Sequence, residues 1–290
     1  MPAPAPVPSP PGPPAPGRKK PAGRNLPAAV AVGLGLGALI LVPLFAARPV
    51  FVAVAVLAIG WGSWEMVQAV EALHARVPVV PLLAGGAAML VAAWHGGLQA
   101  LVLGLLLTAV AVAAWRVTGD PAGYLRDVRV GVFIAGYVPF LAGFIVLMAG
   151  PDDGARRVTT FVATVVCSDV GGYALGSLIG RHPMAPTVSP KKSWEGFAGS
   201  TIACLAAGIC FLTLLFHGRG TWREGALFGL AIVAAATLGD LGESMIKRDL
   251  GVKDMGRLLP GHGGLMDRLD SLLVTAPVAY LLLQAFVPPR

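Results

Sequence analysis

Apolar positions along this chain gather into long, nearly unbroken runs, and the polar positions are confined to short stretches between them. Nine runs stand out, at 26–46, 49–70, 77–94, 96–115, 130–149, 158–180, 196–216, 225–246 and 271–287. A helix of about 17–25 such residues crosses the hydrocarbon core of a bilayer. Inside lipid every backbone N–H and C=O must be satisfied within the fold, so only helices and closed barrels can span it. These runs do not alternate as barrel strands do. The pattern predicts an all-α, polytopic integral membrane protein with about nine transmembrane helices. The third and fourth runs are parted only by His95 and neighbouring glycines, which predicts a tight helical hairpin there.

Before the first run, residues 1–24 alternate Pro, Ala and Ser and end on Arg18, Lys19, Lys20 and Arg24. That composition favours a disordered, polyproline-like cytoplasmic tail and does not read as a secretory signal. Residues 25–290 form the membrane domain. Composition supports this division. Of 290 residues, 56% are hydrophobic and 13% charged, against about 25% charged in ordinary soluble domains. Mean hydropathy is +0.73. An ordinary soluble enzyme is excluded. The net charge of +7 does not indicate nucleic acid, because the basic residues sit at the edges of spans. With the N-terminus inside, sixteen of the 22 Lys and Arg residues fall on the inner side, as the positive-inside rule requires. The polar loops 181–195 and 247–270 then share the cytoplasmic face. Cys167, Cys204 and Cys210 all lie in apolar runs and form neither a disulfide framework nor a CxxC metal motif.

Ionisable residues inside spans are costly and mark function by default. Glu65, Asp169, Asp240 and Glu243 qualify. Glu65, near Trp61 and Trp64, is read as an interface residue. Asp169 lies mid-run, with Gly172, Tyr173 and Gly176 on its helix face. Before the seventh run, Ser189, Lys191 and Lys192 combine a hydroxyl with two point charges suited to phosphate. If the eighth helix continues to residue 248, Asp240, Glu243, Ser244 and Lys247 share one face, followed by Arg248 and Lys253. Asp267 and Asp270 are spaced i, i+3 at the start of the last helix, where carboxylates suit the dipole. Ahead of them, after the Asp240–Lys253 stretch, Gly261, Gly263 and Gly264 allow backbone N–H groups to approach a polyphosphate. Carboxylates, cations and glycines at one membrane face suit Mg²⁺-assisted phosphate chemistry, since Mg²⁺ takes one or two carboxylates plus substrate phosphates. His262 has no second histidine at metal-ligand spacing and is read as a structural or phosphate-facing donor.

These residues resemble a known family. Ser244-x-Ile246-Lys247-Arg248, then Lys253-Asp254-x-Gly256, then Leu259-Pro260-x-His262-Gly263-Gly264-Leu265-x-Asp267-Arg268-Leu269-Asp270, is similar to the signature of phosphatidate cytidylyltransferases. Asp169 to Tyr173 and Ser189 to Gly196 resemble the same family, so the likeness covers about 160–275. Ser177, Pro183 and Gly242 depart from its pattern. The resemblance implies CTP + phosphatidate → CDP-diacylglycerol + pyrophosphate, in the bacterial inner membrane with the active site facing the cytoplasm. It also implies Mg²⁺, with potassium sharing the site, and a homodimer. Asp240 and Asp267 are its metal ligands, with Asp169 and Asp270 as further candidates. Lys247 and Arg268 join them as catalytic residues. Ser189, Lys191, Lys192, Ser244, Arg248, Lys253, His262, Gly263 and Gly264 are its candidate substrate contacts. A lipid or polyprenol kinase using CTP is the alternative. A cation-coupled transporter ranks below both, because it leaves the lysines, glycines and histidine unexplained.

Overall fold

A computed structural model describes residues 26–71, 74–256 and 263–289. The Pro-rich stretch 1–24 and His262 therefore lie outside the described residues. The elements are α1 (Leu26–Ala46), α2 (Arg48–Val70), α3 (Val79–Val117), α4 (Tyr124–Ala135), α5 (Leu141–Ala149), α6 (Gly154–Ile179), β1 (Pro183–Ala185), β2 (Ser189–Ser193), α7 (Trp194–Leu215), α8 (Trp222–Asp249) and α9 (Met266–Phe286). Seven helices among the described residues are long and apolar enough to cross a membrane, counting α4 and α5 as one. In α1, Gly37–Ala46 is a shorter apolar helical stretch. Large apolar side chains stay outside the bundle, Leu178 at 78% exposure and Val110 at 65%. Such a surface is solvated by lipid, and the chain is a multi-pass membrane protein.

The 39 residues of α3 would run to about 58 Å at 1.5 Å per residue, roughly twice the bilayer core. They do not, because Gly97 takes φ 66°, ψ −156° and interrupts the helix. The two arms fold against each other. A Cβ on Gly85 would meet Thr108 Oγ1 at 2.5 Å, and one on Gly104 would meet Met89 Cγ at 2.9 Å. Gly97 is thus the turn of the hairpin. A left-handed φ with extended ψ is open essentially to glycine alone. Between α4 and α5 the chain passes through a π turn, Gly136–Phe140, that contains Pro139. Proline has no N–H for the regular ladder, and the wider turn accommodates it.

Helix edges differ from the apolar runs for a consistent reason: charged residues at the edges are paired. The fifth run opens at 130, yet α4 begins at Tyr124. It carries Asp127, which is fully buried. Arg116 Nε donates to it at 2.8 Å, Arg126 Nε at 3.2 Å and the Arg76 N–H at 3.1 Å. Likewise α9 begins at Met266 and includes Asp267 and Asp270. Capping fixes other starts. Ser193 accepts from Gly196 N at α7, and Thr221 with Glu224 forms a capping box at α8.

The helices α6, α7, α8 and α9 pack in sequence order. Glycines set the closest approach. A Cβ on Gly171 of α6 would meet Ala203 Cβ and Gly199 O of α7, both at 2.6 Å. This is small-residue packing, which supplies helix association where no hydrophobic drive exists within lipid. One addition to the all-α expectation is the antiparallel hairpin of β1 and β2, pairing Pro183 with Ser193 and Ala185 with Ser189. At the opposite end of the bundle an ionic knot closes the fold. Arg157, 1% exposed, donates to Asp153 Oδ1 at 2.6 Å and Oδ2 at 3.1 Å. It also donates to the carbonyls of Leu283 and Val287 in and after α9. Arg219, between α7 and α8, reaches Asp153 at 3.4 Å.

Candidate active site

The end of the bundle away from that knot gathers the C-terminal end of α6, the β1–β2 hairpin, the C-terminal end of α8 and the N-terminus of α9. Its first hollow, about 220 Å³, is lined by Asp169, Tyr173, Lys191, Lys192, Thr237 and Asp240, among others. Asp169, Gly172, Tyr173 and Gly176 line it together, so one helical face of α6 forms a wall. Lys192 Nζ donates to Asp240 Oδ2 at 2.6 Å, each side chain 27% exposed. The hairpin is what brings Lys192 there. In a strand alternate side chains point to opposite faces, and β2 carries Lys191 and Lys192 next to each other. Lys191 accordingly lines both this hollow and the next.

The second hollow, about 550 Å³, is lined by Ser189, Lys191, Ser244, Lys247, Arg248 and Lys253 with apolar neighbours. Four cations therefore face one space without a facing carboxylate on its lining. The α8 face holding Asp240, Glu243, Ser244 and Lys247 joins the two hollows. Asp240 opens on the first and Ser244 and Lys247 on the second. Arg248 Nε also donates to Val188 O at 3.4 Å, tying α8 to the hairpin turn.

Asp267 is placed differently from Asp240. Its carboxylate receives the Met255 N–H at 3.1 Å, the Gly264 N–H at 2.7 Å and Lys247 Nζ at 2.5 Å. Lys247 also holds Glu243 at 2.5 Å. Gly263, at φ 82°, turns the chain toward Asp267. The two aspartates thus hold different lysines. Asp240 instead shares electrostatic reach with Asp169 and Asp270, and Arg268 acts on Asp169 as well. Asp270 Oδ1 accepts from the Ser271 N–H at 2.7 Å.

Among the described residues no three His, Cys, Asp or Glu side chains are arranged as a ready metal cage. The donor chemistry nonetheless fits a hard cation. Glu243 is 1% exposed, and its Oε1 meets no N–H or O–H donor but lies within hydrogen-bond reach of the Asp270 carboxyl, so the two acids face each other with no cation between them among the described residues. Asp240 beside it is open to the first hollow. One or two carboxylates with room for phosphate oxygens is how Mg²⁺ is ordinarily held.

Two features escaped the sequence reading. Glu65, read as interfacial, is 3% exposed and accepts from the Met266 N–H at 2.9 Å. Its i−4 neighbour Trp61 was a visible partner, but Met266 was not. The Arg116–Asp127 pair was masked by the polarity of the loop around it.

The chain is similar to known proteins over most of its length. Residues 27–286 match the family model described as "Cytidylyltransferase family". A phosphatidate cytidylyltransferase of Mycobacterium bovis is 44% identical over 258 residues, covering 84% of this chain and 83% of that protein. One from Mycobacterium leprae is 44% identical over 255 residues, covering 82% and 81%. One from Brucella suis is 32% identical over 234 residues, covering 79% and 74%. The signature in the last third of the sequence, the paired charges it builds and a match spanning nearly every helix all lead to one conclusion: the chain belongs to the cytidylyltransferase family.

Proposed function

We infer that this chain transfers the cytidylyl group of CTP to phosphatidate, giving CDP-diacylglycerol and pyrophosphate. The observation that carries the reading is the meeting of two adjoining hollows at one end of a membrane bundle. One is lined by carboxylates with Lys192 and the other by four cations, and Lys191 is common to both. A nucleotide triphosphate and a lipid phosphate need such a shared cationic wall, with the acyl chains remaining in the bilayer.

In the reaction an oxygen of the lipid phosphate attacks the CTP α-phosphorus. The new P–O bond forms as the bond from that phosphorus to the α–β bridging oxygen breaks, and pyrophosphate leaves. The lipid phosphate is already ionised near neutral pH, so no strong general base is required. The difficulty is repulsion between two anions. Lys191, Lys247, Arg248 and Lys253 lower it by lining the space that holds them, and Ser189 and Ser244 supply hydroxyl donors there. Lys192, now on Asp240, is placed to follow phosphate when it arrives. Arg268 joins these residues near Asp169. Gly263 and Gly264 keep the backbone close to the site, with His262 between them and α8 in sequence.

Asp240 would hold a Mg²⁺ ion with Asp270 and Asp169 near it, and the ion would supply charge neutralisation and alignment of phosphate oxygens. Asp267 would contribute through the same ion only after loosening from Lys247. Its present contacts make it a tie between Met255, Gly264 and Lys247. The inner membrane of a bacterium, the cytoplasmic orientation of the site and pairing into a homodimer belong to the same proposal. They rest on the relatives, on the positive-inside bias and on the resemblance.

The test uses the full chain in vesicles with phosphatidate, Mg²⁺ and CTP labelled at either phosphate. The α label is expected in the lipid and the γ label in pyrophosphate. Finding the γ label in the lipid would replace this reading with a CTP-dependent lipid kinase.

A further inference from the structure

Glu65 belongs to α2, in the half of the chain that carries none of the motifs. A carboxylate 3% exposed ordinarily has a cation, but among the described residues Glu65 has no ion pair. Two N–H groups take its place: Trp61 Nε1 donates to Oε1 at 3.1 Å, and the Met266 N–H donates to Oε2 at 2.9 Å. Met266 opens α9, and the first N–H groups of a helix have no acceptor within it. Leu265, at the N-cap, offers no side-chain oxygen. Glu65 supplies the missing cap from another helix, with a negative charge at the positive end of the dipole.

The same carboxylate sits against two glycines. The three atoms nearest a Cβ built on Gly256 all belong to Glu65. A Cβ on Gly264 would meet Glu65 Oε2 at 2.5 Å and Gly256 Cα at 2.7 Å. Gly256 and Gly264 therefore close on each other, and Glu65 fills the space their missing side chains leave. Both flank the backbone that binds Asp267, through the N–H groups of Met255 and Gly264.

We propose that Glu65 is a positioning residue for cytidylyl transfer, capping α9 from α2 and clamping the Gly256–Gly264 contact so that Asp267 is set against Lys247. It touches neither substrate. The proposal rests on the reaction inferred above.

The full chain in vesicles tests it with Glu65→Ala, Glu65→Gln, Gly256→Ala and the double variant Glu65→Ala/Gly256→Ala. Glu65→Ala is expected to lower kcat roughly 10–100-fold, the range for a group that orients a catalytic one. Glu65→Gln keeps an acceptor for Met266 and is expected to recover most of that loss. Gly256→Ala displaces Glu65 and is expected to be slow alone, while the double variant is no slower than Glu65→Ala, since the two share one contact. Amide exchange at Met266 should quicken in Glu65→Ala and stay slow in Glu65→Gln. Turnover by Glu65→Ala within twofold of the unsubstituted chain would overturn the proposal, as would losses that multiply in the double variant. If Glu65→Ala fails to fold, full activity in Gly256→Ala overturns it instead. If the unsubstituted chain makes no CDP-lipid, the reaction is at fault, and exchange at Met266 still decides whether Glu65 caps α9.

Discussion

Lys192 and Asp240 stand 2.6 Å apart, each about a quarter exposed, where a charge can still change partners at modest cost. That is the setting for a carboxylate that exchanges a lysine for a ligand. Asp240→Asn is expected to lower CTP-dependent turnover by roughly 10²-fold or more while leaving thermal unfolding in detergent nearly unchanged. Asp267→Asn should cost both activity and stability, because Lys247 and two backbone N–H groups depend on that carboxylate. A second residue-scale expectation concerns the knot at the far end. Burial alone would raise the Asp153 carboxyl, but hydrogen bonds and charge from Arg157, with Arg219, hold it below its ordinary value. A lowered native value means stability that is complete above the unfolded-state value near 4 and lost as pH falls through the native one. Asp153→Asn leaves the buried Arg157 without its partner and should cost about 3 kcal/mol at neutral pH. It should also flatten the fall in stability below pH 4, as followed by melting temperature against pH. Residues such as Asp169, Asp240 and Lys192 were legible in the sequence because a charge in or beside an apolar run is a local signal. Glu65 gave the same signal but its role did not show, and Asp127 gave none, because what makes both matter is a partner brought in by folding.

Elements were legible where hydropathy alone decides them, and blurred where pairing changes the account. Hydropathy counts Asp127 as a bare charge, so the run that predicts α4 opens late; ion pairs and a backbone donor remove that penalty in the fold. The spacing of Asp267 and Asp270 placed the start of α9 within a residue. The β1–β2 hairpin, three and five residues long, is too short to show alternation, yet it delivers Lys191 and Lys192 to the site. Contact between α6 and α7 is the sharper case. Glycines carry no hydropathy signal of their own, and the structure gives those of α6 and α7 a task. Gly171→Val would press on the Gly199 carbonyl and Ala203 and force the two helices apart. Overpacking of this kind costs about 1–3 kcal/mol, and here it would widen the hollow between Asp169 and Lys192. Its melting temperature in detergent should fall, and its KM for CTP should rise more than its kcat drops. A KM unchanged from the parent would separate this helix contact from nucleotide binding.

At the scale of the molecule the two ends of the bundle divide the labour, one fastened by Arg157 and Asp153 and the other kept open around Asp240. Placing the open end toward the cytoplasm yields a direct expectation. A cysteine introduced at Thr187, beyond β1, should react with a membrane-impermeant maleimide only from the side on which CTP is consumed. Labelling of intact cells from outside would reverse the assigned orientation. The far-reaching bond between Glu65 and Met266 has its own consequence for biogenesis. It joins positions 201 residues apart, and a ribosome adding about 5–20 residues per second needs roughly 10–40 s to make that length. Throughout that interval α2 has been synthesised while the amide that will claim its carboxylate has not. Competence to consume nucleotide is therefore expected to arrive in one step with the last helix, and a nascent chain halted short of it to be an inert set of spans.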